Sequence, residues 1–205
     1  RIDYAGQDLD ENTVDPDPFQ QFGAWLDQAL ASGLKEPNAM ALATASPEGT
    51  PSCRMVLLKG FDTRGFVFFT NYASAKGRDL DANPRAALTF YWAELERQVR
   101  LAGSVQRVSI EESDEYFALR PPLARLGAIA SPQSQPIPGR AWLQQSFAHL
   151  QQAHPDGAIA RPATWGGYRL QPSSFEFWQG RANRLHDRIL YSFHEETWKI
   201  GRLAP

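Results

Sequence analysis

The chain has 205 residues, 42% of them hydrophobic and 12% aromatic, which is enough to bury a substantial core and too apolar for wholesale disorder. Twenty-one Lys and Arg against 23 Asp and Glu leave a net charge of −2, excluding the strongly basic footprint of a dedicated nucleic-acid binder. No apolar run approaches the length of a membrane span, no secretory signal is read at the start, and the single cysteine, Cys53, excludes an internal disulfide or a cysteine metal cage. These features point to a reducing, cytoplasmic setting with no nucleic-acid, membrane or metal partner. The chain opens on Arg1 rather than methionine, which leaves room for a preceding segment. Only four of the basic residues are lysines, Lys35, Lys59, Lys76 and Lys199. An arginine excess suits bidentate recognition of phosphate or carboxylate, and a GC-rich genome produces the same excess.

In chain order, residues 1–17 are acidic and without periodicity, and read as an extended arm. Asp17-Pro18 is a helix start, and Phe19, Phe22, Trp25, Leu26 and Leu30 give an amphipathic helix over 18–32 that ends at Gly33. Strands are expected at Ala39–Ala45, Ser52–Lys59, Phe66–Asn71, Arg85–Trp92 and Gln98–Ser109, with Gly60–Gly65 a turn and Gly103 a bulge or bend. Ser74 caps a short helix through Asp81, closed by Asn83-Pro84. Helices follow at Glu111–Leu119, stopped by Pro121-Pro122, and at Arg140–Ala153, separated by the proline-rich Ser131–Gly139. The last strands are Trp165–Leu170, Ser174–Gln179, Asn183–Ser192 and Thr197–Arg202. Roughly eight short strands with peripheral helices argue for a closed antiparallel barrel forming one domain over 18–205.

Four segments could carry chemistry. In Arg184-Leu185-His186-Asp187-Arg188, alternate residues of a strand share a face, so Arg184, His186 and Arg188 are expected to project together. Three such groups repel unless an anion or polar ligand sits among them; a solvated strand face fits the pattern too, but the apolar flanks favour a pocket. In Arg54-Met55-Val56-Leu57-Leu58-Lys59 the two cations lie five apart, on opposite faces of a regular strand, which is also an ordinary arrangement for a buried strand with charged ends. Thr70–Arg78 runs from a strand into the Ser74-capped helix with Lys76 in its first turn. Free N–H groups, the positive dipole end and an ammonium together make a phosphate site. Tyr116 and Arg120, four apart on one helix face, could clamp a second phosphate or simply stack at the surface. His149 and His154 are poorly spaced for a metal, and HExxH, CxxC, GxSxG, GxGxxG and the Walker pattern are absent.

Taken together, RMVLLKGFD, FFTNYASAKG, LERQVRLAG, YFALRP, SPQSQPI, WGGYRL, FEFWQGRANRLHDR and the closing WKIGRLAP resemble, in order and spacing, the pyridoxine/pyridoxamine 5′-phosphate oxidase family. The RLHDR and FWQG pair is the most specific part. The resemblance implies a mainly β (α+β) fold, an FMN-binding split β-barrel of antiparallel Greek-key type with peripheral helices, assembled as a homodimer with FMN at the subunit interface. It implies oxidation of pyridoxamine or pyridoxine 5′-phosphate to pyridoxal 5′-phosphate with O2 as acceptor, yielding hydrogen peroxide and, from the amine, ammonia. This is the last step of vitamin B6 cofactor biosynthesis and salvage.

Carried over by position, Arg54, Met55, Val56, Leu57, Leu58 and Lys59 are expected at FMN, with Phe69 and Thr70 at the next strand end. Lys76 is expected on the FMN phosphate, Gln98 at the flavin edge, and Gln133, Ser134, Trp178 and Arg188 completing that site. Lys59, Tyr116 and Arg120 are expected at the substrate phosphate, Arg184 and His186 as catalytic contacts to the substrate ring, and Arg1 and Tyr4 in an arm folding over the occupied site. Two positions depart from the family. Ala75 stands where an FMN-phosphate arginine is usual, and Ala124 where a substrate-phosphate serine is common. The first loss is expected to weaken FMN binding by about 1.5–3 kcal/mol unless Arg78 or Arg54 compensates, and the second to weaken the hold on the substrate phosphate by about 0.5–1.5 kcal/mol. A related flavin oxidase of phenazine-type biosynthesis and a non-enzymatic flavin or B6-phosphate carrier are the alternatives. Tyr116 and Arg120 favour the B6 reading, Ala124 the phenazine one, and Arg184 with His186 speak against a carrier.

Overall fold

The computed structural model describes Tyr4, Gly6, residues 8–156 and residues 158–205; the expected site residue Arg1 lies outside them. The first helix, α1 (Pro18–Ala31), starts where the Asp17 carboxylate accepts the Phe19 N–H at 2.9 Å, and its buried stripe includes Phe19, Phe22, Trp25 and Leu26. Strands β1 (Ala39–Ala45), β2 (Pro51–Leu57), β3 (Gly60–Asp62) and β4 (Gly65–Asn71) precede helix α2 (Ala75–Ala82). Then come β5 (Arg85–Trp92), β6 (Arg97–Arg107), helices α3 (Ile110–Leu119), α4 (Pro122–Ala130) and α5 (Arg140–Ala153), and strands β7 (Trp165–Gln179), β8 (Asp187–His194) and β9 (Thr197–Arg202).

All pairings are antiparallel, in the order β2-β1-β5-β6-β7-β4-β3, with β8 added to β7 and β9 to β8. The end strands β2 and β3 are consecutive in the chain and joined only by Leu58 and Lys59, so the sheet must curl until its ends approach. The Lys59 N–H, in that short link, donates to the Val67 carbonyl on β4 at 2.9 Å and so extends the β3–β4 pairing. The concave side holds Leu42, Leu88, Phe90, Val99, Leu101, Phe175 and Phe177, and α1 packs on them, with the Phe22 ring 4.8 Å from Phe66 and 4.9 Å from Phe90. The result is a mostly antiparallel half-barrel with five α-helices among the described residues, in agreement with the expected fold class.

Several boundaries differ from the sequence reading, each for a local reason. Residues expected as two strands, Trp165–Leu170 and Ser174–Gln179, form the single 15-residue β7. Its first half pairs with β4 and its second half with β8, while β6 runs along nearly all of it. The β6–β7 register shifts at Ala102/Gly103, and a Cβ on Gly103 would collide with the Gln171 carbonyl, which is why glycine stands at the bulge. The turn expected over Gly60–Gly65 contains the short β3, bringing the strands to nine among the described residues. Pro121-Pro122, read as a stop, also starts α4, because Pro122 occupies a first helical position where no N–H is needed. The strand expected from Asn183 begins only at Asp187: Ala182–Arg184 is a 3₁₀ turn with Asn183 (φ 57°) and Arg184 (φ 64°) left-handed.

The β8–β9 hairpin turns through Glu195 (φ 50°) and Glu196 (φ 62°), two like-charged residues in conformations that favour Asn-Gly. The double substitution Glu195→Asn and Glu196→Gly is expected to stabilise the protein by about 1–2 kcal/mol, read as a higher urea midpoint with an unchanged slope.

Candidate functional site

Where the β2–β3 link, the end of β4 and the α2 N-terminus meet, a cavity of about 570 Å³ opens. Met55, Val56, Leu57 and Lys59 line it from the β2 side, Phe69 and Thr70 from β4, and Lys76 from α2. Tyr116, Arg120 and Gln133 face it from the helical region, with Trp165 from the start of β7. Among the described residues, no Asp or Glu lines it.

Lys76 is 8% exposed, on a helix capped by Ser74, whose hydroxyl accepts the Gly77 N–H. Its ammonium donates to Thr70 Oγ1 and to Gln133 Oε1, both at 3.2 Å. Burial first, and the neighbouring Arg54 second, push its pKa below the ordinary lysine value. A buried cation offered only neutral oxygens and a second cation is a site for an anion. Arg120 donates from Nη2 to the Ala124 carbonyl at 3.0 Å and lies 4.8 Å over the Trp165 ring, while its buried Nε has no partner; burial lowers its pKa too. Tyr116 stacks on Phe69 at 3.9 Å and 13°, and Trp165 lies nearly parallel to both. Lys59 Nζ is 5.9 Å from the Tyr116 ring. Stacked rings beside Lys59, Lys76 and Arg120 fit planar molecules carrying phosphate.

Tyr116 and Arg120 reach this cavity differently from the expectation of a shared helix face. Arg120 is the extended residue that ends α3 (ψ 144°), and the corner into α4 aims it inward. Arg54 adjoins the cavity but is already engaged: Nη1 donates to Leu42 O at 3.2 Å and Thr44 Oγ1 at 2.7 Å, Nη2 to Ser52 Oγ, and Asp79 lies 3.9 Å away. Arg78 is exposed and donates to the Ala73 carbonyl at 2.6 Å. With both arginines engaged, Ala75→Arg is expected to tighten the binding of the FMN that the resemblance implies about tenfold, measured by flavin fluorescence quenching on titration into flavin-free protein. Leu58 is buried in the core, and Ser134 sits just beyond Gln133 with φ 67°.

The remaining expected residues cluster elsewhere. Gln98, Trp178 and Arg188 are direct cross-strand partners on β6, β7 and β8, and so share one sheet face. His186 packs 4.8 Å from Trp178, and Tyr4 makes edge contacts with both rings at 5.8 and 5.6 Å. His186 Nδ1 accepts the Arg181 N–H at 3.1 Å, so in the neutral ring the proton sits on Nε2, which is left as a donor. Arg188 is bound by Glu176 at 2.9 Å and by the Ala204 carbonyl at 2.8 Å. The shared face expected for Arg184, His186 and Arg188 is therefore not formed. The left-handed turn takes Arg184 out of the strand, where it is exposed and without a hydrogen bond or ion pair among the described residues. Trp165 and Trp178 mark opposite ends of β7, roughly 40 Å apart at about 3.3 Å per residue if the strand were straight.

Sequence reasoning missed Asn71, Gly127, Ala128, Ser131 and Trp165 as cavity residues. Trp165 opens the WGGYRL segment that carried the resemblance and was the readable signal; the α4 residues were hidden with their helix.

Among solved structures, PhzG from Burkholderia lata, in complex with tetrahydrophenazine-1-carboxylic acid, superposes with a TM-score of 0.93 over all of both chains at 30% identity. A pyridoxamine 5′-phosphate oxidase-related, FMN-binding protein from Nostoc punctiforme gives 0.76 at 21% identity, over 94% of this chain and 100% of that one. The fold is that of the split-barrel, pyridoxamine 5′-phosphate oxidase-like FMN-binding proteins. Residues 26–154 match the family model described as pyridoxamine 5′-phosphate oxidase, and residues 165–205 that described as the pyridoxine 5′-phosphate oxidase C-terminal dimerisation region. Proteins named pyridoxine/pyridoxamine 5′-phosphate oxidase are 55% identical over the whole chain in Rubrobacter xylanophilus (94% of that protein covered) and 55% identical in Burkholderia lata (97% covered). The chain belongs to the pyridoxine/pyridoxamine 5′-phosphate oxidase family and is an oxidoreductase.

Proposed function

We propose that the chain is an FMN-dependent pyridoxine/pyridoxamine 5′-phosphate oxidase that works as a cytoplasmic homodimer. The observation that carries this reading is the cavity in which Lys76, Arg120 and Lys59 face stacked rings with no carboxylate among the described lining residues. Lys76, Thr70 and Gln133 hold the flavin phosphate; Lys59, Tyr116 and Arg120 hold the substrate phosphate. Bound FMN supplies the electron-accepting chemistry, with O2 as the final acceptor. Arg184 and His186 hold the pyridine ring, with Nε2–H of His186 as a donor and the Arg184 guanidinium as a fixed cation. Because β7 separates the cavity from the Trp178–His186 cluster, these groups come from the second subunit. The match of residues 165–205 to a dimerisation region supports that arrangement.

The phenazine-type reading is supported by Ala124 and by the 0.93 TM-score to PhzG. Sequence weighs the other way: Burkholderia lata contributes both comparisons, and its named B6 oxidase is 55% identical against 30% for PhzG. Anaerobic titration of FMN-loaded protein with pyridoxamine 5′-phosphate should bleach the flavin absorbance, and air should restore it with peroxide release. Bleaching only by a reduced phenazine carboxylic acid establishes the second reading, and bleaching by neither makes the protein a carrier.

A further inference from the structure

We propose that Asp187 is a positioning residue, the hub of an ionic latch that holds the N-terminal arm over the Trp178–His186 cluster. Two arginines grip the arm in the same way. Arg181 donates from Nη1 to the Gly6 carbonyl at 2.6 Å and pairs through Nη2 with the Asp8 carboxylate. Arg202 donates from Nη2 to the Leu9 carbonyl at 2.9 Å and from Nε to Glu11 at 2.7 Å. Each therefore takes one backbone carbonyl and one carboxylate of the arm, and both meet on Asp187. Arg202 Nη1 donates to Oδ1 at 2.6 Å, and Arg181 Nε lies 3.5 Å from Oδ2. The Leu9 N–H completes the hub by donating to Oδ2 at 3.3 Å, and the Leu9 side chain is buried.

The latch reaches the cluster through the backbone. Arg181 carries the N–H that fixes the His186 ring, and Asp187 follows His186 directly, while the clamped arm places Tyr4 against His186 and Trp178. Several charge-assisted bonds converging on one half-buried carboxylate make a cooperative closure rather than a set of independent surface pairs. The arm's own carboxylates supply the anions, so closure needs no added ligand. Asp187 touches no reacting atom; it acts through His186 and Tyr4, and this role rests on the placing of those two residues at the substrate.

Asp187→Asn tests the hub in the FMN-loaded protein, and the exposed-edge variant Glu11→Gln tests it without disturbing the interior. Amide hydrogen exchange at Leu9, read without substrate, is expected to quicken about tenfold in Asp187→Asn and less in Glu11→Gln. The KM for pyridoxamine 5′-phosphate should rise several-fold in the same order, with kcat and the flavin absorbance retained. Unchanged Leu9 exchange in both variants overturns the latch, as does faster exchange with an unaltered KM. A wild-type protein that fails to oxidise the substrate but shows the Leu9 response defeats the proposed activity and leaves the latch standing.

Discussion

Lys76→Met is expected to move two quantities in opposite directions: FMN binding weakens roughly 10–100-fold, while the flavin-free protein gains about 1–2 kcal/mol. The reason is the company the ammonium keeps. Thr70 Oγ1 and Gln133 Oε1 are its hydrogen-bond partners, Arg54 repels it, and it is 8% exposed. Without an anion the folded state holds a poorly compensated charge, and methionine fills the space without it. The pH dependence follows the same sign. Burial depresses the folded pKa below the ordinary value of 10.5, so in the interval between the two the unfolded chain binds more protons. The stability that Lys76 withholds is therefore regained as pH rises through that interval, and the wild-type apoprotein should gain stability there relative to Lys76→Met. Urea titrations of both apoproteins at neutral and alkaline pH, beside a flavin titration, measure all three effects. Equal apoprotein stability at every pH would show that the lysine is already compensated.

Arg184→Ala is expected to lower turnover of pyridoxamine 5′-phosphate about 100-fold with FMN content and melting temperature almost unchanged. The side chain is exposed and makes no hydrogen bond or ion pair among the described residues, so its removal leaves no partner stranded. Yet the backbone holds it at φ 64°, beside Asn183 at φ 57°, an unfavourable arrangement for two non-glycine residues in succession. Strain around an unengaged guanidinium is what a residue kept for a ligand looks like. Turnover within a few-fold of wild type in this variant removes Arg184 from the chemistry.

The barrel was legible because its signals are local. The apolar run Ala39–Ala45 and the stretch Arg85–Trp92 were read as strands to the residue, and Asp17 and Ser74 announced their helices through caps that the structure forms. The cavity was half legible for the same reason: Thr70 to Lys76 is one strand-to-helix corner, readable as a phosphate site from a short stretch. What escaped depends on partners distant in sequence. Whether β7 is one strand or two is decided by β6 crossing its middle at Gly103, and whether Arg184 lies in a strand is decided by a turn no pattern marks. Arg188 looked like a free cation because nothing near it in sequence reveals that Glu176, across the β7–β8 pair, already holds it.

The length of β7 has a consequence for mixed assemblies. If one subunit furnishes Lys76 and its mate furnishes Arg184, two separately crippled variants can rescue each other at flavin concentrations too low to load Lys76→Met. Co-folding Lys76→Met with Arg184→Ala chains yields hybrids in which one active site inherits both intact residues and the other neither. Random pairing then restores about a quarter of the wild-type rate from two nearly inactive parents. Sites drawn wholly from single chains would stay silent in every combination.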